Sequence, residues 1–266
     1  MIDLSSRPAE DKASAKIVRL IDKAIVAAKS AEKSRNYLGG SRLGVECLRA
    51  LAFEYHHTPV DAGREFNGKT YRIFQAGHEI EADAGKWLQA AGFDLRTEDR
   101  HGFQYGFKTA IDPVTGEPRL AGHLDGVLVD GPKIDGIGYP ALWEMKTMNT
   151  KNFAKLVKDG VKKSKPVYYT QMQVYMFHMG LTDFPALFTA YNKDTSDLQF
   201  ELVPFDAEHA QWAIDRGVQV IQSQAPEELP RVTSDPADRR CMWCNWARTC
   251  HKTPAAAPVA KPSWLG

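Results

Sequence analysis

Two neighbouring segments of the chain carry carboxylates and an ammonium at a spacing that suits metal-dependent hydrolysis. Glu144 and Lys146 are two residues apart, so on a β-strand their side chains share a face, opposite Trp143. Asp125 lies in an upstream apolar segment, and antiparallel pairing of the two strands would bring it beside them. Carboxylates are ligands that Mg²⁺ and Mn²⁺ prefer. Because a nearby ammonium helps to activate a water for attack on a phosphate, the pattern indicates phosphodiester hydrolysis.

The same Glu-x-Lys spacing also suits an ordinary cross-strand ion pair on the surface. Glu10 and Lys12 repeat it near the N-terminus, where no site is expected. Context favours the functional interpretation, since the strand is apolar and an Asp-bearing strand precedes it. Burial of carboxylates on a strand face is costly unless a cation is bound beside them.

The four cysteines are the second group that could do chemistry. Cys241, Cys244 and Cys250 follow the spacing C-x₂-C-x₅-C, and Cys47 is the remaining one. Such thiolates could bind Zn²⁺ or an iron–sulfur cluster, with His251 as a competing ligand for zinc. A disulfide framework is not expected in a reducing compartment, and inert buried thiols are the remaining alternative.

Lysines recur at helical spacing directly after the Glu-x-Lys strand. Lys151, Lys155, Lys158 and Lys162 are three or four residues apart, which on a helix predicts a positive stripe able to follow a DNA backbone. A solvated lysine face would have the same pattern. No element that reads base sequence is evident, so any binding of DNA is expected to be independent of sequence.

The elements that must position these residues are helices and short strands. Helices are predicted at 11–35, from Ser41 to about 55, at 71–91, 151–163 and 167–179, and from Asp206 to about 224. Strands are predicted at 120–130, 141–147, 186–191 and 198–203. In the first helix, Ile17 and Ile21 belong to an apolar set at helical spacing. The expected fold class is mixed α/β, with a small central sheet between helical ends.

Composition narrows the classes of protein and of partner. The 266 residues are 43% hydrophobic and 25% charged, which argues against a collagen-like, low-complexity or disordered chain. Since the formal net charge is only +1, a nucleic-acid surface must be a local patch. No apolar run is long enough to span a membrane, and the polar first residues do not resemble a signal peptide, so a cytoplasmic location is expected.

The order and spacing of these motifs resemble the PD-(D/E)xK nuclease superfamily, and within it the RecB-like and lambda-type exonucleases. Asp125 and the segment 144–146 resemble the D…E-x-K motif, and 77–81 resembles the G-x-x-x-E helix of the lambda-type group, where RecB-like members often have histidine in place of the glutamate. The segment 171–175 resembles the Q-x-x-x-Y helix. The resemblance implies a restriction-endonuclease-like core with Mg²⁺ or Mn²⁺ held by Glu81, Asp125, Glu144 and the Met145 carbonyl, an activating Lys146, and supporting contacts from Gln171 and Tyr175.

The cysteine spacing resembles that of the iron–sulfur nucleases of the CRISPR-adaptation and AddB types. The resemblance implies that Cys47, Cys241, Cys244 and Cys250 hold a [4Fe–4S] cluster, with zinc as the alternative. The implied role is structural, because ligation would close a loop of roughly 200 residues around the nuclease core.

The sequence thus predicts a metal-dependent DNA nuclease, with exonuclease action on DNA ends and single-stranded DNA among its substrates. A single domain is expected over 1–252, with a helical part at 1–75, a catalytic core at 76–205, and a C-terminal helix and cysteine cluster at 206–252. A disordered tail is expected at 253–266. The expected partners are DNA and proteins of recombination, repair or CRISPR adaptation, in a host or a phage. The alternatives are a non-catalytic DNA-binding accessory subunit and a zinc-bearing interaction protein with a coincidental Glu-x-Lys.

Overall fold

The computed structural model describes residues 10–32 and 35–252, and the predicted tail at 253–266 lies outside the described residues. The described helices are α1 (Glu10–Ala31), α2 (Leu48–Tyr55), α3 (Gly68–Ala90), α4 (Thr150–Ser164), α5 (Pro166–Met179), α6 (Ala207–Gln222), α7 (Arg239–Met242) and α8 (Ala247–Lys252). The strands are β1 (Leu38–Gly39), β2 (Asp94–Arg96), β3 (Gly106–Ile111), β4 (Pro118–His123), β5 (Gly126–Asp130), β6 (Ala141–Met148), β7 (Ala186–Asn192) and β8 (Leu198–Val203).

The strands of the described residues pair into two sheets. The larger has the order β2-β5-β6-β7-β8, with β6 and β7 parallel and the other neighbours antiparallel. The smaller has the order β1-β4-β3, with β1 parallel to β4 and β3 antiparallel to it. Parallel neighbours need a long crossover connection, and α4 and α5 supply it between β6 and β7.

Helices cover both faces of the larger sheet. Successive residues of a strand point to opposite faces, and β6 shows this clearly. Trp143 and Met145 pack with Ala84 and Leu88 of α3, whereas Leu142 lies in a second apolar cluster with side chains of α5. The predicted fold class is confirmed: a small mixed sheet flanked by helices, as expected of a restriction-endonuclease-like core, with helices before it and the cysteine segment after it.

The predicted single strand over 120–130 is wrong. The chain leaves the smaller sheet at the end of β4 and enters the larger one at Gly126, so Asp125 lies in the link between two sheets. A Cβ at Gly126 would lie 2.7 Å from Leu95 Cδ1. The absence of a side chain therefore permits the close crossing at which the chain changes sheet.

The helix predicted from Ser41 begins instead at Leu48, with Cys47 as the residue that precedes its first turn. The segment before it is a 3-10 turn followed by a loop. Gly44 passes so close to α5 that a Cβ there would lie 2.7 Å from the Val167 Cα. The crossing of this loop over α5 therefore overrides the local preference of Ser41 for a helix start.

Helix α1 packs on α3, but much of its apolar set is uncovered. Ile17 is 57% exposed and Ile21 46% exposed. The helix predicted from Asp206 is confirmed, because the Asp206 carboxylate accepts the His209 N–H at 3.1 Å and caps α6. No helix in the described ranges is both long and apolar enough to cross a membrane.

Candidate active site

Three carboxylates and one ammonium meet where β5 and β6 pair, and the group of Glu81, Asp125, Glu144 and Lys146 is called the carboxylate cluster below. The predicted antiparallel pairing of these strands is confirmed. Lys146 Nζ lies 3.3 Å from Asp125 Oδ2 and contacts Glu144 Oε1. The Met145 N–H donates to the same Asp125 oxygen at 2.8 Å. This hydrogen bond joins the link between the two sheets to β6.

Glu144 is the most buried member of the carboxylate cluster, with no exposed surface. One carboxylate oxygen, Oε1, accepts a 2.7 Å hydrogen bond from Gln171 Nε2. The other, Oε2, is buried without a hydrogen-bond partner among the described residues. Burial, followed by the charge of Asp125, raises the pKa of Glu144 to about 8. In the metal-free protein this carboxyl therefore holds a proton at neutral pH.

Glu81 joins the carboxylate cluster from α3. Burial, followed by the charge of Asp125, raises the pKa of the Glu81 carboxyl to about 7, whereas Lys146 lowers it. The carboxylate of Glu81 lies 3.8 Å from His78 Nδ1, one turn earlier on α3. The helix approaches β6 closely here, since a Cβ at Gly77 would stand 3.6 Å from Thr147 Oγ1.

Helix α5 supplies the supporting residues that the resemblance implied. Gln171 is buried and bonds to Glu144 as described. Tyr175 is also buried, and its hydroxyl is hydrogen-bonded to Ser41. Burial, followed by the charge of Glu144, raises the pKa of Tyr175. The ring of Tyr175 packs where a Cβ at Gly122 would be only 2.7 Å away.

Several contacts of the site were not anticipated from the sequence. Lys146 Nζ donates to the Met145 carbonyl at 2.9 Å, so the oxygen expected to bind metal accepts a hydrogen bond from the ammonium. Lys146 Nζ also lies 5.8 Å from the centroid of the Tyr168 ring. Gln173 is fully buried and accepts the Asp206 N–H at 2.7 Å, so neither glutamine of α5 is a surface residue. No local signal marks the contacts of Tyr168 and Gln173, because they depend on how α5 crosses the sheet.

The four predicted DNA-binding lysines are exposed on α4, but they do not form one uninterrupted stripe. Gly160 has φ of +71° and interrupts the helical geometry before Lys162. Lys162 is paired with Asp206 at 3.0 Å, and its Nζ lies 4.8 Å from the centroid of the Tyr169 ring. The remaining three, called the α4 stripe below, form no ion pair within the described part of the chain: Lys151, Lys155 and Lys158.

The four cysteines line one cavity of about 550 Å³: Cys47 directly precedes α2, Cys241 lies in α7, Cys244 in the link after it, and Cys250 in α8. Burial raises the pKa of Cys250 to about 11. Burial, followed by the neighbouring thiols, also raises the pKa of Cys241. His251 Nε2 lies 3.5 Å from Cys241 Sγ. The thiols are therefore close enough to influence one another electrostatically.

Polar contacts already hold the cysteine segment against α2 and the loop that follows it. The Asp61 carboxylate accepts N–H groups of Arg248 and Thr249 at 2.7 and 3.1 Å. The Trp246 indole donates to the Thr58 carbonyl at 2.9 Å, and its ring stacks on Phe53 with centroids 5.9 Å apart. The two parts of the chain that carry cysteines are thus joined by the protein itself.

The residues of the carboxylate cluster fit a divalent cation by charge and donor type, although their present spacing is not a coordination sphere. Across residues 10–32 and 35–252, no three His, Cys, Asp or Glu side chains form a group that could hold a metal ion as they stand. Three carboxylates facing one ammonium leave two negative charges when all are ionised. The partnerless Glu144 Oε2 is a hard oxygen donor that a bound cation would satisfy.

Comparison with protein-family models finds no match, and comparison with curated proteins finds none. Among solved structures, the chain is similar to SSO0001 at 15% identity, over 91% of this chain and 98% of that chain, with a TM-score of 0.46. It is also similar to LHK-Exo, an alkaline exonuclease from Laribacter hongkongensis, at 18% identity over 70% and 88% of the two chains, with a TM-score of 0.44. For LHK-Exo in complex with dAMP, the identity is 17%, the coverage 70% and 90%, and the TM-score 0.42. At these values the similarities identify no activity for this chain.

Proposed function

We propose that the chain is a metal-dependent DNA nuclease that hydrolyses phosphodiester bonds at DNA ends. The observation that carries the proposal is the buried Glu144, which has a partnerless oxygen beside Asp125 and Lys146. A fold gains nothing from burying such a carboxylate, since its desolvation weakens the folded state. The arrangement is explained if a cation binds there during function.

Glu81, Asp125, Glu144 and the Met145 carbonyl are the groups that would hold Mg²⁺ or Mn²⁺. The bound ion would supply positive charge against the charge that develops on the phosphate oxygens. Its charge would also favour the ionised form of Glu144, whose pKa burial raises. Gln171 fixes the Glu144 carboxylate through Oε1, which leaves Oε2 directed away from that bond.

Lys146 would act as a charged hydrogen-bond donor to the attacking water or to the phosphate. Burial lowers its pKa, but the charge of Asp125, followed by that of Glu144 when it is ionised, outweighs burial and raises the pKa above its usual value. The side chain therefore remains an ammonium at neutral pH and cannot accept a proton. Its bonds to Asp125 Oδ2 and the Met145 carbonyl hold Nζ in place, so it can stabilise negative charge without reorganisation.

The α4 stripe would contact the phosphates of the DNA strand that reaches the carboxylate cluster. Helix α4 follows β6 directly, so these lysines begin only a few residues beyond Lys146. Their charge is not consumed by ion pairs within the described residues. Contacts of this kind give affinity without sequence preference and make binding sensitive to salt.

The four thiols would hold a [4Fe–4S] cluster that fastens the cysteine segment to α2. The shared cavity supports this part of the proposal, and soft thiolates suit either iron–sulfur clusters or zinc. Since burial raises the pKa of Cys241, Cys244 and Cys250, loading would release protons. Protein purified without oxygen is expected to be brown and to contain iron and acid-labile sulfide. Stoichiometric zinc in a colourless protein would contradict the cluster assignment but not the nuclease assignment.

The nuclease proposal is tested by Mn²⁺-dependent cleavage of end-labelled linear DNA and of circular DNA of the same sequence. Wild-type protein is expected to degrade the linear form, and Lys146→Ala to lose most of the activity. The matched control is Lys86→Ala, which removes an exposed lysine paired with Asp83 on α3 and is expected to cleave normally. Equal cleavage by wild type and Lys146→Ala would contradict the assignment, and so would the absence of cleavage by metal-loaded wild type.

A further inference from the structure

A pocket of about 590 Å³ opens next to the carboxylate cluster and has no role in the chemistry described above. Its walls come from the end of α1, the segment around β1, the end of α2 and the first half of α3. Five aromatic side chains line it, and it is called the aromatic pocket below: Tyr37, Tyr55, Phe66, Tyr71 and Phe74.

Three of these rings pack edge to face. The centroids of Phe66 and Phe74 are 5.5 Å apart at 87°, and those of Phe66 and Tyr71 are 6.0 Å apart at 86°. Phe66 is 49% exposed and Phe74 46% exposed. Large aromatic rings that are grouped and left half in solvent mark a surface that binds something. Each ring presents a flat face on which another planar group can stack.

The charged residues of the aromatic pocket largely neutralise one another. Lys29 pairs with Glu32 at 2.7 Å, and Arg35 pairs with Glu54 at 3.1 Å. Arg42 adds a second contact to Glu54 at 2.9 Å. The pocket therefore offers little net attraction to phosphate. Its chemistry suits a planar, uncharged, polarisable group such as a nucleobase.

The aromatic pocket and the carboxylate cluster share helix α3. His78 lines the pocket, and its Nδ1 is also the atom 3.8 Å from the Glu81 carboxylate. Gln75, one turn earlier, lines the pocket as well. Phe74 and Glu81 are about two helical turns apart on α3. Because one turn rises about 5.4 Å, a group bound at the Phe74 ring lies about 10 Å along the helix from Glu81.

We propose that the aromatic pocket binds the unpaired nucleobases of a DNA strand while a phosphate of the same strand lies at the carboxylate cluster. The inference rests on the proposed nuclease function and adds the substrate feature that the site selects. Bases within a duplex are stacked on their neighbours and paired, so their faces cannot reach Phe66 or Phe74. Frayed or single-stranded ends are thus favoured over blunt duplex ends.

The test measures binding rather than cleavage. Fluorescence anisotropy with a labelled single-stranded oligothymidylate and a blunt duplex, in EDTA, compares wild type with the double variant Phe66→Leu/Phe74→Leu. We expect single-strand affinity to fall about 10-fold or more, as loss of stacking rings typically causes. Duplex affinity and the salt dependence of binding should not change, because the rings contact no phosphate. The matched control is Phe200→Leu on β8, 43% exposed and outside the pocket, which should bind like wild type.

A second variant guards against an effect of folding. Phe74→Trp keeps a stacking face, so it should retain single-strand affinity and show additional fluorescence quenching when oligothymidylate is added, relative to wild type. Unchanged single-strand affinity in Phe66→Leu/Phe74→Leu, or no additional quenching in Phe74→Trp, would overturn the inference.

The two proposals fail in different ways. Cleavage of linear DNA by wild type, together with unchanged single-strand binding by the double variant, would overturn the aromatic pocket and leave the nuclease standing. Loss of single-strand binding in the double variant without any cleavage by metal-loaded wild type would overturn the nuclease alone. Failure of wild type to bind single-stranded DNA would overturn the aromatic pocket, whereas the nuclease assignment is decided by cleavage of linear DNA.

Discussion

Replacing Glu144 with glutamine should stabilise the metal-free protein, and the gain should depend on pH. The raised pKa means that the folded state resists ionisation of this carboxyl, whereas the unfolded chain ionises near its usual pKa of 4.5. As pH rises between 4.5 and about 8, the unfolded state loses its proton first. The free energy of unfolding of wild type therefore falls over this window and levels off above it. Glutamine is neutral throughout and removes the contribution of Glu144 to the slope, while Glu81, whose pKa is also raised, keeps its own.

The size of the Glu144 penalty follows from the range of pH over which the unfolded chain has lost this proton and the folded protein still holds it. One pH unit corresponds to about 1.4 kcal/mol, so at pH 7 the Glu144 penalty is about 3 kcal/mol. Some of this is offset because the amide –NH₂ of glutamine would also lack a partner at the Oε2 position. We expect Glu144→Gln to raise the free energy of unfolding by about 1–3 kcal/mol at pH 7, or roughly 2–10 °C in Tm. At pH 5 the gain should shrink below about 1 kcal/mol.

The assay is thermal and urea unfolding of EDTA-treated protein from pH 5 to 8.5, with Glu79→Gln as the control. Glu79 is an exposed carboxylate on α3, so its neutralisation should have little effect at any pH. Added Mn²⁺ should stabilise wild type by about 3 kcal/mol at a concentration 100 times the Kd, but should stabilise Glu144→Gln much less. A variant that is less stable than wild type at pH 8, or a gain that is the same at pH 5 and pH 8, would refute the reasoning.

Three further variants follow from the geometry. Lys146→Met keeps much of the side-chain volume, so it should lower kcat for DNA cleavage about 10²- to 10³-fold without unfolding the protein. A kcat equal to that of wild type would contradict the role of the ammonium. Gly122→Ala should cost roughly 1–3 kcal/mol of stability in urea unfolding, because its Cβ would lie 2.6 Å from Phe107 and 2.7 Å from Tyr175, and an unchanged midpoint would contradict that packing. Changing all three lysines of the α4 stripe to glutamine should weaken the binding of single-stranded DNA. It should also reduce the slope of log K against log salt by about 2, because each phosphate contact contributes about 0.7. An unchanged slope would exclude these lysines from the interface.

The features that could be predicted from the sequence are those fixed by local periodicity. Glu144 and Lys146 share a face, and Trp143 takes the other, because alternation along a strand is a property of the strand alone. The cap at Asp206 is confirmed for the same reason, since its carboxylate bonds to an N–H three residues later.

The errors lie where distant segments cross. Asp125 is in a link between two sheets, although its neighbours have the composition of one continuous strand. Ser41 meets the usual preference for a helix start, yet Gly44 must clear the backbone of Val167, and the helix begins later. In each case the deciding contact joins residues far apart in sequence, which no short window contains.

The residues of the carboxylate cluster suit the binding of a cation, but they destabilise the fold when no cation is bound. Lys146 can neutralise one carboxylate, and it contacts both Asp125 and Glu144, so the remaining negative charge must be removed by protons. Protons are weak substitutes for a cation, because they satisfy one oxygen each and leave Glu144 Oε2 without a partner. Burial also raises the pKa of the Cys241 and Cys250 thiols in the cysteine cavity. The buried carboxylates thus weaken the metal-free fold at neutral pH, whereas neutral thiols do not. The two groups would suit cations of opposite character, a hard ion among oxygens and a soft centre among sulfurs.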